Sequence, residues 1–347
     1  MRTVRAALVV SLAGTALGFA PAAHAEPGDV VTDVRLSRTS VAVSSLNTVP
    51  VTVEVDAKFP GESPDQTLHA ILDRVGGTGH LDDLYSARLT RYEGTSDNGK
   101  WRGVLRVPST ANGTFQVRSV MTTGELYAEM GDEPTDVVNG PKLTVTGTNQ
   151  PRITVKQLNA PSPVSQPYTF RWSVINDQTG KPYGSRLKVS LDQDTGCKFG
   201  GSAPVLTDTA GYVTRTYAAE RTSIPLTCLT IGGGDPFPIA KGWANSPRRI
   251  PTVSATPART SAPVGTKVAV NGNVTGGSNR CPVHLQRLYG ASQWRTVNSG
   301  QVRDVSYRYT LTAQPAYKGN IPYRVLFPAC GSSLTAAISK TFTIRGT

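Results

Sequence analysis

The stretch that decides the fold is YTFRWSV, residues 168–174. Tyr168, Phe170, Trp172 and Val174 alternate with Thr169, Arg171 and Ser173. Successive side chains of an extended chain point to opposite faces, so four large apolar groups share one face and three polar groups the other. A helix would scatter the same residues around its axis. The stretch predicts a half-buried strand. The pattern recurs along the chain. Val49, Val51, Val53 and Val55 interleave with Pro50, Thr52 and Glu54; Val268, Val270 and Val274 bracket Asn271 and Gly272; Phe342 and Ile344 frame Thr343. Helical periodicity with caps is not sustained anywhere after the first 25 residues. SPDQTLHAIL (63–72) alone admits either a short helix capped by Ser63 or Asp65, or an edge strand.

Turn signals separate the runs. Asn98-Gly99 stands between TRYEGTS and WRGVLRV and predicts a hairpin; TDTAGYV (207–213) and NDQTGKPYG (176–184) are similar. Strand and turn at this spacing predict β-sandwiches. Three segments each restart with an opening strand, a polar Ser/Thr/Pro kink and a Val- or aromatic-rich strand. The expected organisation is a leader at 1–25 followed by all-β, immunoglobulin-like sandwiches at 27–148, 149–250 and 251–347. The leader is read from Arg2 and Arg5, the apolar run from Ala6, and Ala23-His24-Ala25. It predicts a secreted protein, free or loosely surface-associated, with no transmembrane segment. A monomer is expected.

Export sets the chemistry of the four cysteines, which an oxidising compartment pairs. Of three connectivities, Cys197–Cys228 and Cys281–Cys330 keep each bridge inside one expected domain. A zinc site lacks CxxC spacing and nearby histidines.

The third segment carries GTKVAVNGNVTGG, CPVHLQRLYGASQWRTV, YRYTLTA and YRVLFPA. With Val283, Leu285, Gln286, Arg287, Trp294, Val297, Tyr323, Arg324 and Val325 it resembles the immunoglobulin-like repeats of secreted actinobacterial proteins. GKPYGSRLKVSL and TDTAGYVTRTY in the second segment are similar to the bacterial Ig-like domains of invasin-type adhesins. The resemblance implies a sandwich fold and a role in surface attachment, spacing or display. It brings no catalytic residues.

Charge is unevenly spread. Residues 26–148 hold 11 Lys and Arg against 17 Asp and Glu; 149–250 hold 12 against 6; 251–347 hold 11 against 1, the single acid being Asp304. The last segment attracts polyanions by its long-range field. The expected partners are cell-wall phosphate polymers or other extracellular polyanions, with glycans and proteins as further candidates. No nucleic-acid module is legible, which argues against nucleic acid. Arg287, Trp294, Arg295 and Arg324 are the candidate ligand-binding residues, with the arginines flanking a groove; a hairpin packed by its tryptophan is the simpler reading of the same stretch.

An active centre is not legible. A GxSxG elbow is absent. GGTGHLDDLY (76–85) offers His80, Asp82 and Asp83 as a possible base or metal site, and a hydrolase centred on His80 is the alternative to a non-enzymatic role. No cofactor is expected. Glu125, Glu129 and Asp132 in an acidic run, and Asp192 and Asp194 in LDQDTGC, are the calcium candidates, although the latter lacks the closing acid of an EF-hand loop. GGGDPFPIAKGWANSP (232–247) is a poor strand and an odd linker, and admits a lid, a long loop or an edge strand interrupted by Pro236 and Pro238.

Overall fold

The computed structural model describes residues 28–60, 65–127, 134–192, 204–219, 227–234, 236–244, 246–303 and 305–347. The leader expected at 1–25 lies outside them. Strands dominate; the helical elements among the described residues are the single turns Ser109–Ala111 and Thr123–Tyr127. No helix among the described residues is long and apolar enough to cross a membrane.

The strands enclose three hydrophobic cores, each between two sheets. In the first, strands Val30–Leu36, Thr48–Lys58, Asn98–Pro108 and Thr90–Thr95 lie side by side in that order. They face a sheet of Ser40–Ser44, Lys142–Thr148, Gly113–Thr122, Leu68–Gly76 and Asp83–Tyr85. Val51, Val53, Val55, Trp101 and Leu105 from one sheet pack on Leu68, Leu72, Phe115 and Val117 from the other. The intervening Glu54 and Asp56 point outward to Arg35 and Arg102 on neighbouring strands, with ion-pair distances of 2.8 Å for Arg35–Asp56 and Arg102–Glu54. Opposite charges paired across strands stabilise the outer face.

The second core is built as YTFRWSV predicts. Strand Tyr168–Asn176 lies between Pro151–Gln157 and Tyr212–Tyr217. Its four apolar side chains are buried against Val189, Leu191, Leu229 and Ile231 of the opposing sheet. The third core joins Val268, Val270 and Val274 to Val283, Leu285, Tyr323, Val325, Phe327 and Ile344. All three share one device. The opening strand pairs antiparallel with its own sheet, then a short segment crosses over and runs parallel to the last strand: Ser40–Ser44 beside Lys142–Thr148, Ser162–Pro163 beside Arg249–Ile250, and Ser261–Ala262 beside Phe342–Gly346. The polar kinks in the sequence are these crossings. The fold is an all-β, immunoglobulin-like sandwich architecture.

Several local expectations are corrected. Residues 68–76 form neither a helix nor an edge; Leu68–Gly76 is an interior strand between Gly113–Thr122 and Asp83–Tyr85. Its Leu68, Ala70 and Leu72 face the core, and tertiary burial decides the matter. The hairpin near Asn98-Gly99 exists, but Thr95 pairs with Asn98, so Ser96 and Asp97 make the turn. Gly94 and Gly99 instead face each other across the ladder. A Cβ on Gly94 would stand 2.1 Å from the Asn98 carbonyl oxygen and one on Gly99 2.4 Å from that of Thr95, so the pair permits close approach of backbones. The turns at 176–184 and 207–213 are not hairpins. Each links a strand of one sheet to a strand of the opposing sheet. Asn176 and Asp208 hold them, through their side-chain oxygens, by accepting from Gln178 N at 3.0 Å and Tyr212 N at 2.8 Å.

Cys281 and Cys330 form the expected disulfide. Cys228 is also disulfide-bonded; Cys197, its expected partner, lies outside the described residues.

Candidate functional site

The first candidate region is the basic hairpin. Strands Pro282–Tyr289, Gln293–Gln301 and Gly319–Phe327 lie side by side, joined at one end by a turn over Gly290–Ser292. Val283 and Leu285 are fully buried, so alternation puts Arg287 and Tyr289 on the inner face beyond the edge of the core. Arg287 pairs directly with Arg295 and Leu288 with Trp294, while Gln286 pairs with Arg324. Cross-strand partners share a face. The four residues expected to bind a ligand therefore divide: Arg287 and Arg295 stand on one side of the sheet, Trp294 and Arg324 on the other.

Each side is organised around an aromatic ring. Arg287 and Arg295 lie over the ring of Tyr289 at 4.2 and 4.9 Å, and Arg287 Nη2 donates to the Tyr289 hydroxyl. On the opposite face Arg324 stacks on Trp294 at 4.3 Å and donates through Nε to Gln286 Oε1 at 2.8 Å. Arg295 Nη2 also donates to Gln293 Oε1 at 3.0 Å. These contacts fix the guanidinium planes, and the N–H groups left over suit carboxylate or phosphate. Arg287 and Tyr289 also line an open cleft of about 630 Å³ together with Lys267, Asn298, Thr312 and Gln314. Beneath it the Tyr323 phenol is held above its ordinary range by burial, with Arg287 opposing. The sequence reading missed Tyr289 as the platform and Lys267 as a neighbour. The i, i+2 spacing of Arg287 and Tyr289 carried the first; nothing local carried the second, since Lys267 arrives from the preceding strand connection.

Like charges directly opposite on adjacent strands destabilise a sheet, and Arg287 opposite Arg295 is such a pair. Among the described residues no cation of 251–347 forms an ion pair, in contrast to the 28–127 part of the chain, where Arg35, Arg74, Lys100 and Arg102 all do.

The second region gathers the two stretches that resisted reading. Residues 79–81 are pinned by backbone bonds, with Gly79 N donating to Asn112 O and His80 N to Thr110 O, both at 2.8 Å. His80, Asp82 and Asp83 all line one cleft, but His80 pairs with neither acid. Its Nε2 lies 3.1 Å from Asp177 Oδ2 in the second sandwich, and Asp177 Oδ1 takes an ion pair from Arg152 Nε at 2.7 Å. Asp82 instead lies 3.7 Å from Arg74. Residues 236–241 pack against this region. Phe237 meets Tyr85 edge-on at 4.3 Å, and Thr110 Oγ1 donates to Ile239 O at 2.5 Å. Between them lies a cleft of about 330 Å³. Its described lining holds no serine, threonine or cysteine to act as a nucleophile beside His80. The Asp83 carboxyl sits above its ordinary range because of partial desolvation, reinforced by the charges of Asp73 and Asp82.

Among the described residues no three His, Cys, Asp or Glu side chains gather as a metal site. Of the calcium candidates, Glu129, Asp132 and Asp194 lie outside the described residues; Glu125 sits in the turn Thr123–Tyr127 and Asp192 ends strand Lys188–Asp192, with their side chains outside the description.

Neither a family model nor a curated protein sequence matches the chain. Among solved structures it is similar to the Escherichia coli adhesin FdeC, at 12% identity over 91% of this chain and 96% of that one, with a TM-score of 0.25. It is similar to the FN1-FN3 domains of chicken CNTN1 at 10% identity, over 91% of this chain and 98% of that one, with a TM-score of 0.24. The Yersinia pseudotuberculosis adhesin InvE matches at 12% identity over 92% of this chain and 61% of that one, with a TM-score of 0.19. Likeness at this level carries no argument; the fold rests on the strand pairing and the three cores.

Proposed function

We propose that the chain is a secreted, non-enzymatic binding protein of three sandwich domains, 27–148, 149–250 and 251–347, which attaches to cell-envelope or matrix polyanions through the last. The three cores, spanning residues 34–145, 168–244 and 253–344, support the division. The observation that carries the binding role is the Arg287–Arg295 pair: two guanidiniums in register, sharing one tyrosine ring without a carboxylate partner among the described residues. A bound anion relieves their repulsion and takes the hydrogen bonds they offer. The acidic first domain then faces away from the anionic surface.

The test is retention of the full chain on isolated bacterial cell walls at low ionic strength. The chain should be retained, and the double variant Arg287→Ser with Arg295→Ser should elute at clearly lower salt. Equal retention of variant and parent removes this site; no retention of either reduces the chain to a spacer or display scaffold.

A further inference from the structure

The cleft between the first and second cores has a built asymmetry. Leu84, Pro108, Pro238 and Ile239 form a buried apolar floor, with Tyr85 and Phe237 half-buried beside them. Asp83, Arg106 and Lys241 stand exposed at the mouth. Arg106 and Lys241 appear in no ion pair among the described residues, and Lys241 is steadied over the Trp243 ring at 5.0 Å. The two walls belong to different sandwiches and are held at fixed separation by Thr110–Ile239, Tyr85–Phe237 and His80–Asp177. The cavity is therefore formed before any ligand arrives. Pockets at domain junctions, with apolar walls and a few charged groups, are the usual form of small-molecule sites. A volume of about 330 Å³ is at the lower end of small-ligand pockets, which suits one molecule of amino-acid to dipeptide size.

We infer that this junction cleft binds a small zwitterion with a large apolar side chain, as in a free aromatic α-amino acid. The apolar body lies on the Leu84–Ile239 floor beside Tyr85 and Phe237. The carboxylate meets Arg106 and Lys241, and the ammonium meets Asp83. Partial desolvation, reinforced by Asp73 and Asp82 and opposed by Lys241 and Arg74, raises the proton affinity of Asp83 in the empty cleft, and an ammonium there offsets it. Lys241 already opposes part of the Asp83 charge across the rim; a ligand of both signs adds a partner to the acid and to the cations, and a ligand with only one charge serves one of them alone. The site is independent of the basic hairpin, so its test says nothing for or against polyanion binding.

The experiment is an amide-shift titration of the full chain with three probes: L-phenylalanine, 3-phenylpropionate and phenethylamine. Phenylalanine should saturate and move the amides of 80–85 and 237–241 together. Each single-charge probe should bind about threefold or more weakly, the size of one charge contact at an exposed rim. Asp83→Asn should bring phenylalanine down to about the level of phenylpropionate and leave phenylpropionate unchanged. Because Asp83 is exposed at the rim, this variant keeps the fold; Phe237→Ala, which removes part of the floor, should weaken all three probes. Failure of phenylalanine to saturate, equal affinity of the three probes, or shifts confined to other parts of the chain would each overturn the inference.

Discussion

Arg249 is 3% exposed, and what it holds makes its replacement the most informative stability test. Its Nη2 donates to the carbonyls of Val164, Gln166 and Ala219 at 2.9, 3.1 and 3.2 Å, and its guanidinium lies over the Tyr168 ring at 4.5 Å. Those groups belong to the second sandwich. Its backbone reaches the other way. Arg249 N donates to Ser333 O at 2.7 Å and Thr335 N to Arg249 O at 2.9 Å, in the loop that Cys330 anchors to Cys281. Arg249→Met keeps the stem and the backbone bonds and removes the donors. Three carbonyls lose their donor: the buried bond to Val164 costs about 1–3 kcal/mol, the partly buried ones to Gln166 and Ala219 are replaced by water at smaller cost, and the lost ring contact adds about 1–2 kcal/mol. Against this, burial of a guanidinium is itself unfavourable, as the lowered proton affinity of Arg249 shows. A net loss of about 2–3 kcal/mol follows from these opposing terms. Arg249→Lys, a compact cation without the planar fork, should lose about half of that. Denaturant unfolding measures the difference, and calorimetry should show the transitions of the second and third cores separating in Arg249→Met. A Met variant within about 0.5 kcal/mol of the parent, the scatter of surface substitutions, or more stable than it, would refute the view that the guanidinium fastens this joint.

Three other outcomes are expected. Reduction of Cys281–Cys330, which closes a loop with a sequence separation of 49, should destabilise by about 4 kcal/mol in the chain-entropy account, read as a fall in the third core's unfolding midpoint. Trp101→Ala, at a fully buried position in the first core, should cost about 3–5 kcal/mol by denaturant unfolding. Asp83→Asn should raise thermal stability at pH 7. The native carboxyl binds its proton more tightly than the unfolded one, so Asp83 favours the fold below the unfolded value near pH 4 and loses that contribution as pH rises through the native value. The gain should vanish on acidification, and a gain unchanged by pH would contradict the assignment.

Much of the fold was legible because its signal is local. Period-two alternation at 49–55 and 168–174 places those side chains in the cores without further information, and the Ser/Thr/Pro kinks mark the sheet crossings. Leu68–Gly76 was ambiguous because Leu68-His69-Ala70-Ile71-Leu72 lacks alternation; strands flanked on both sides decide it, and they are distant in sequence. The Asn98-Gly99 turn was misplaced by two residues because Gly94 pairs with Gly99 through space. The arginines of the hairpin were found by composition, but their division between two faces depends on register, which a single chain does not display. His80 was noticed beside Asp82 and Asp83, whereas its partner is Asp177, 97 positions away. The stretch 232–247 had no local rationale because Phe237 and Ile239 meet Tyr85 and Thr110 of the preceding sandwich, while Ala240–Ala244 is the edge strand of its own sheet.

The proposed role requires the cationic end of the molecule to be an anion-binding surface. The direct measurement is a salt titration of the full chain with inorganic polyphosphate, comparing the parent with the Arg287→Ser and Arg295→Ser double variant. Affinity should fall linearly in log–log form with salt, and the variant's slope should be shallower by about two, about one for each phosphate-contacting cation removed. Binding indifferent to salt, or a slope identical in parent and variant, would contradict it.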